Sequence, residues 1–283
     1  MAVLLAVVSA ALFGAMTVAL RLALRRNGDA ELGAAVTIGT AFVLALAFAA
    51  AARPDELPAG ELALFVLAGA LAPGGSQLLF TFAVRDAGAS RASVVVGTAP
   101  LVAVAIALVV LGEPFRLPLF AGAVLIVLGG IALVLERGRP EHLRAVGLAF
   151  AFGCTALFAT RDNFVRWFSG ETAVEPLPAA AATLLGGMLV ASAYLAAKRR
   201  PTIRGAAPFA VVGLLFGFSY VALFEAYYRG RVSVVSPIVA TETLWGVTLS
   251  ALMLRHTELV GRRLAAGALL IVAGGILIGV FRA

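Results

Sequence analysis

Residues 122–131 read GAVLIVLGGI and residues 267–276 read GALLIVAGGI, so one glycine-rich apolar segment occurs twice, 145 positions apart. The same spacing pairs Phe13 with Phe158, Arg21 with Arg166 and Glu113 with Glu258. A spacing that holds from the first apolar segment to the last marks an internal duplication rather than low complexity. Between these anchors it drifts: LFTFAVR (79–85) matches LFEAYYR (223–229) at 144, and RASVV (91–95) matches RVSVV (231–235) at 140. A shorter loop in the second half, followed by extra residues near 255–257, accounts for the drift.

What is duplicated is a membrane-spanning unit. The chain is 62% hydrophobic and 13% charged, whereas soluble domains run at about 45–50% apolar and about 25% charged. Hydrocarbon about 30 Å thick takes about 20 helical residues to cross. Ten apolar stretches of that order occur, near 2–24, 32–52, 61–84, 91–112, 117–135, 144–166, 177–197, 206–228, 232–254 and 264–281. The links near 136–143 and 198–205 are too short to fold alone. The first stretch has no basic leader and no Ala-x-Ala cleavage site, so it reads as a retained span. The fold expected is therefore an all-α integral membrane protein. Residues 1–136 form a first five-helix repeat, 137–143 a connecting loop and 144–283 a second repeat.

Five is an odd number, so the second half enters the membrane from the side opposite to the first. Inverted repeats of this kind underlie alternating access, in which one half rocks against the other around a site near the bilayer midplane. The net charge of +7 comes from arginines beside spans, which set orientation and meet lipid phosphates; no nucleic-acid partner is expected. Lys and Arg concentrate in odd-numbered connections (Arg25, Arg26, Arg137, Arg139, Lys198, Arg199, Arg200). Taken literally, that places both termini outside. The lone cysteine, Cys154, lies in a span and forms no intrachain disulfide.

Ten spans in a five-plus-five repeat, closed by LVVLGEPFRLPLFAGAVLIVLGGIAL (108–133) and LRHTELVGRRLAAGALLIVAGGILIG (254–279), resemble the EamA family of the drug/metabolite transporter superfamily. Gly112-Glu113 followed by Gly122 carries the resemblance. In the second half Arg255, His256 and Thr257 stand where Leu-Gly usually precedes the Glu, and Thr243 follows Glu242 where many members have Pro. The resemblance implies export of small metabolites, amino acids or xenobiotics, coupled to protons or exchange; the Ala- and Arg-rich composition is like that of GC-rich bacteria, so a bacterial inner membrane is expected, with no cofactor and no metal. The resemblance also implies both termini inside, against the charge count.

A pair of interrupted spans at corresponding repeat positions is the sequence pointer to a transporter site. APGGSQ (72–77) in span three aligns with FGFSYV (216–221) in span eight. Pro73 removes a backbone hydrogen bond, so Pro73, Gly74, Gly75 and Gly217 are expected helix breaks, and Ser76, Gln77 and Tyr220 expected cavity residues. Intramembrane carboxylates are costly and mark function. Glu242 follows Arg231 by eleven residues, roughly 16 Å along a helix, and is the candidate proton-coupling and substrate-binding group. Trp245, three residues on, is expected on the same face. Glu225 stands four residues before Arg229, the spacing of an interfacial ion pair; Glu113 and Glu258 end spans four and nine.

The repeat also places the Arg161-Asp162-Asn163 cluster inside span six, opposite Met16, Thr17 and Val18. Asp162 and Arg166 are four apart and expected to pair. Arg161 is then either an anchor reaching the interface or a counter-charge for Glu242 or an anionic substrate group. The glycines of spans five and ten are packing surfaces, within one chain or between two copies, so monomer and homodimer stay open. A flippase for a lipid-linked headgroup is the alternative transporter reading. An intramembrane enzyme is weaker, since the only histidines, His142 and His256, are not mid-span.

Overall fold

The computed structural model describes residues 1–54, 57–99, 102, 117–134, 144–198, 205–230, 235, 238–254 and 261–281. Every regular element among them is helical. In chain order they are α1 (Ala2–Arg26), α2 (Ala30–Ala52), α3 (Ala59–Gly69), a π-helical turn (Ala70–Gly75), α4 (Ser76–Ala87), α5 (Ala89–Val96), α6 (Leu117–Val134), α7 (Ala145–Glu171), α8 (Pro176–Lys198), α9 (Ala207–Arg229), α10 (Glu242–Met253) and α11 (Arg262–Phe281). Five of these helical segments, α1, α2, α3 to α4, α8 and α9, are long and apolar enough to cross a membrane. Glu113, Glu258, the 137–143 link, both histidines and the Arg166 side chain lie outside the described residues.

Local chemistry sets the ends. Asp29 caps α2 by accepting the Leu32 amide at 3.1 Å, satisfying one of the first-turn donors. Arg21, buried on α1, donates Nη1 to the carbonyls of Val84 and Arg85 at 3.1 and 2.8 Å. A cation there satisfies last-turn acceptors and complements the helix dipole. Ala72 is extended (φ −144°, ψ 114°), as expected before a proline whose ring crowds the α region.

The packing carries the duplication into three dimensions. α1 packs on α9 and α10, and its repeat counterpart α7 packs on α4 and α5; α2 meets α9 as α8 meets α3 and the π turn. The pairs α2–α8, α5–α10 and α6–α11 map onto themselves. That pattern is a pseudo-twofold exchange of the halves. At α6–α11 a Cβ on Gly129 would lie 2.6 Å from the Gly267 carbonyl oxygen, and one on Gly274 would lie 2.5 Å from that of Gly122. Gly122 and Gly267 are equivalents at 145, as are Gly129 and Gly274, so these two contacts are one contact seen from either half. The glycines of the opening segment therefore pack within one chain.

The tightest approach is α3 on α8. A Cβ on Gly69 would fall on the Thr183 carbonyl oxygen, and one on Gly186 on that of Val66. Both obstacles are backbone, so neither can swing aside. Gly186→Val is expected to lower thermal stability sharply and abolish monodisperse expression, while Gly60→Ala, in open space, leaves both unchanged. Fluorescence-detected size-exclusion melting curves compare them; a wild-type melt for Gly186→Val would refute the close approach.

One expected break and one expected continuity are corrected. α9 runs unbroken from Ala207 to Arg229, so Gly217 is not a break; its missing side chain admits α2, whose Ala41 Cα would stand 3.0 Å from a Cβ there. Span four, expected continuous over 91–112, is interrupted by a turn at Gly97 and Thr98, and span nine, expected continuous over 232–254, by a turn at Ala240 and Thr241 just before α10. Both carry the same device: Thr98 donates Oγ1 to the Val95 carbonyl and Thr241 to that of Ile238, each at 2.6 Å. The matching backbone bonds, Thr98 N–H to Val95 and Thr241 N–H to Ile238, are both 3.0 Å. Thr98 and Thr241 are 143 apart, within the drift of the repeat. The symmetric interruptions fall in spans four and nine.

Candidate functional site

Where the two interrupted spans cross, α5 and α10 come into contact: Thr243 donates Oγ1 to the Ser93 carbonyl at 3.2 Å, and a Cβ on Gly246 would clash with the Ser93 side chain. Beside this crossing lies a cavity lined from both halves, by Ser9 and Phe13 of α1, Val96 and Ala99, Phe158, Arg161 and Asp162 of α7, Phe216, Ser219, Tyr220 and Leu223 of α9, and Val239, Ala240 and Glu242. The space open to water centres is about 50 Å³, room for a few waters.

Its apolar wall is a ring cluster. Phe13 meets Phe158 edge-on at 5.9 Å and Phe216 at 6.3 Å, and Phe216 meets Tyr220 at 5.3 Å. Phe158 stands three residues before Arg161 on α7, which puts the ring under the guanidinium. Arg161 lies 4.8 Å from the Phe158 centroid and 5.4 Å from that of Tyr220, within cation–π range. Its Nε and Nη2 both donate to Asp162 Oδ1, at 2.9 and 2.7 Å. The side chains are 7% and 22% exposed, so the pair is largely withdrawn from water.

The side chain of Arg166, the partner expected for Asp162, lies outside the described residues. Asp162 is held by its neighbour Arg161, because the guanidinium stem is long enough to fold back along the helix surface while its planar head stays between two rings. Arg161 is thus buried rather than an interface anchor, and it shares the cavity with Glu242 without an ion-pair contact between them. Asn163 turns away and donates Nδ2 to the Ala159 carbonyl at 2.7 Å. Glu225 does pair with Arg229, with Nε to Oε2 at 2.6 Å, in the last turn of α9.

Glu242 opens α10, where a carboxylate complements the helix dipole, and faces the cavity. Among the described residues no cation comes within ion-pair distance of it. Ser9 and Ser219 join α1 to α9 by reciprocal bonds, each hydroxyl donating to the other's carbonyl at 2.9 Å. The Tyr220 side chain is buried beside the Arg161 guanidinium.

The structure therefore brings Arg161, Asp162, Tyr220 and Glu242 together and leaves the other expected residues elsewhere. Trp245 is 40% exposed, with its Cβ against Gly14 on α1. Three residues advance a helix by about 300°, so it is turned about 60° from Glu242, enough to leave the cavity. Ser76 and Gln77 are fully buried in α4, with Ser76 Oγ and both Gln77 amide atoms unpartnered, outside this cavity. Pro73 packs its ring on Gly187 of α8. The lining residues Ser9, Phe13 and Phe216 escaped the sequence reading; the Phe13–Phe158 repeat pair was their one available signal.

A model of the EamA-like transporter family matches residues 1–135 and again 145–280, nearly the whole chain. The chain belongs to the EamA-like transporter family. As an EamA-like protein it is a multi-pass membrane transporter of the drug/metabolite type, not an enzyme family. A solved structure described only as "Crystal structure of protein" matches this EamA-like chain with a TM-score of 0.68 at 19% identity, over 98% of this chain and 96% of that one. That likeness concerns the fold. No curated protein matches the chain.

Proposed function

We propose that the protein exports small metabolites across a bacterial inner membrane by alternating access, with Glu242 exchanging a proton for substrate. The observation that carries this reading is Glu242 itself. It is an intramembrane carboxylate without a described counter-ion, at the crossing of two symmetrically interrupted spans, facing a cavity shared by both halves. An unpaired charge in that setting is costly unless a proton or a cation neutralises it. Either occupant would then travel with the site as the halves rock.

The pseudo-twofold supports the second facing that such a cycle needs. Ser76 is the counterpart of Tyr220 at 144, on the pair α4–α7 that mirrors α9–α1. Its unpartnered hydroxyl and the Gln77 amide beside it are polar groups that gain solvent when the mirror-related side opens. The direction of transport and the solute range rest on the family's general role.

Purified protein in liposomes with an acidic interior and neutral exterior is expected to accumulate substrate inward against its gradient, and to lose the accumulation when a protonophore is added. Radiolabelled amino acids, amines and lipophilic drugs form the panel. Accumulation of a panel member that survives collapse of the pH gradient would rule out proton coupling.

A further inference from the structure

We infer that the solute taken by this cavity is a small organic ammonium, a protonated primary or secondary amine on an apolar or aromatic body, rather than an anion or a zwitterion. The proposal rests on Glu242 being the exchange site, and narrows what it exchanges for. It follows from the charge and the rings of the described lining.

Arg161, the one cation among the described lining residues, is already paired with Asp162. Asp162 Oδ1 takes its Nε and Nη2, and the rings of Phe158 and Tyr220 take up the guanidinium. A substrate carboxylate would have to share that guanidinium with Asp162 and lie in one cavity with Glu242, three carboxylates against one cation. Ser9 and Ser219 have spent their hydroxyl protons on each other's carbonyls. The charged groups of the described lining are then the Glu242 and Asp162 carboxylates and the Arg161 guanidinium. With Glu242 ionised, the described lining holds two carboxylates against one guanidinium, a net negative charge.

A primary ammonium supplies what such a lining lacks, one further positive charge, and brings three N–H donors to its carboxylates. The faces of Phe13, Phe158, Phe216 and Tyr220 accept the apolar body and attract the cation. The ammonium and a proton are then alternative neutralising partners for Glu242, and each excludes the other.

Three compounds with one skeleton separate the charge classes: 2-phenylethylamine (cation), phenylalanine (zwitterion) and 3-phenylpropionate (anion). Their binding to the detergent-purified full chain is read by isothermal titration at pH 7 and at pH 5.5. The amine is expected to bind at least tenfold tighter than the other two at pH 7, and to weaken at pH 5.5. Glu242→Asp keeps that order and Glu242→Gln abolishes it. Asp162→Asn, which leaves Arg161 uncompensated, shifts the preference towards 3-phenylpropionate. Equal affinity for the three, no binding of the amine, or tighter binding of phenylalanine overturns the substrate class. The exchange role of Glu242 is then judged separately, by gradient-driven transport of whichever panel solute moves. Amine preference that persists undiminished in Glu242→Gln would instead remove Glu242 from both readings.

Discussion

Replacing Glu242 with glutamine is expected to reduce pH-driven accumulation to the level of protein-free liposomes while the protein still folds and elutes as wild type. Glutamine keeps the size and hydrogen-bonding reach of the side chain but is locked in the neutral form. It therefore removes the proton without creating a void, and the rest of the lining, including the Arg161–Asp162 pair, is left in place. Glu242→Asp, which retains a titratable group one methylene shorter, should keep coupling at reduced rate. Symmetry supplies a sharper test. Ala99 follows Thr98 as Glu242 follows Thr241, each pair placed by the same threonine-closed turn, and both residues line the one cavity. A carboxylate moved across the pseudo-twofold, in the double variant Ala99→Glu with Glu242→Ala, is accordingly expected to restore part of the pH-driven uptake that Glu242→Ala loses. Uptake assays under an imposed pH gradient decide it. Full accumulation by Glu242→Gln would dispose of the proton-exchange mechanism, and rescue by Ala99→Glu would tie that mechanism to the crossing of the two interrupted spans.

The repeat was readable because glycine positions in packed helices leave a direct trace in the sequence. Gly122, Gly129, Gly267 and Gly274 are spaced alike because they form one crossing twice. Glu242 was readable because a carboxylate is conspicuous in an apolar run. The positions of the breaks were less so. Pro73 advertises one interruption, and it exists, but it serves packing on α8. The symmetric interruptions at Thr98 and Thr241 depend on a hydroxyl returning to the carbonyl three residues back. Threonine does similar things inside unbroken helices: Thr155 and Thr183 each donate to the carbonyl four residues back. Residue type alone does not separate the two cases. Gly217 misled for the converse reason, since a glycine that lets a neighbour approach and one that breaks a helix look alike in sequence. The Arg161–Asp162 pair was missed because spacing rules for helical ion pairs assume solvent-facing side chains. In a cavity, the rings of Phe158 and Tyr220 decide where the guanidinium lies.

That ring-held pair sets the second large effect. Arg161→Ala is expected to destabilise the protein by about 3–5 kcal/mol, the cost typical of removing one partner of a buried pair. Asp162 would be left largely withdrawn from water with no cation, in a cavity that already holds Glu242. Asp162→Asn should cost less, about 1–2 kcal/mol, because the amide oxygen still accepts from Nε and Nη2 and the guanidinium keeps its contacts with both rings. Removing both charges together, Arg161→Ala with Asp162→Ala, is expected to be milder than Arg161→Ala alone, since no orphaned carboxylate remains. The three variants and wild type form a double-mutant cycle, read as unfolding free energies of the purified chain in mixed micelles. An Arg161→Ala variant within about 0.5 kcal/mol of wild type, the scatter of ordinary surface substitutions, would mean that the pair is not withdrawn from solvent. The cavity would then hold Arg161 as a free cation able to meet Glu242 or an anionic solute.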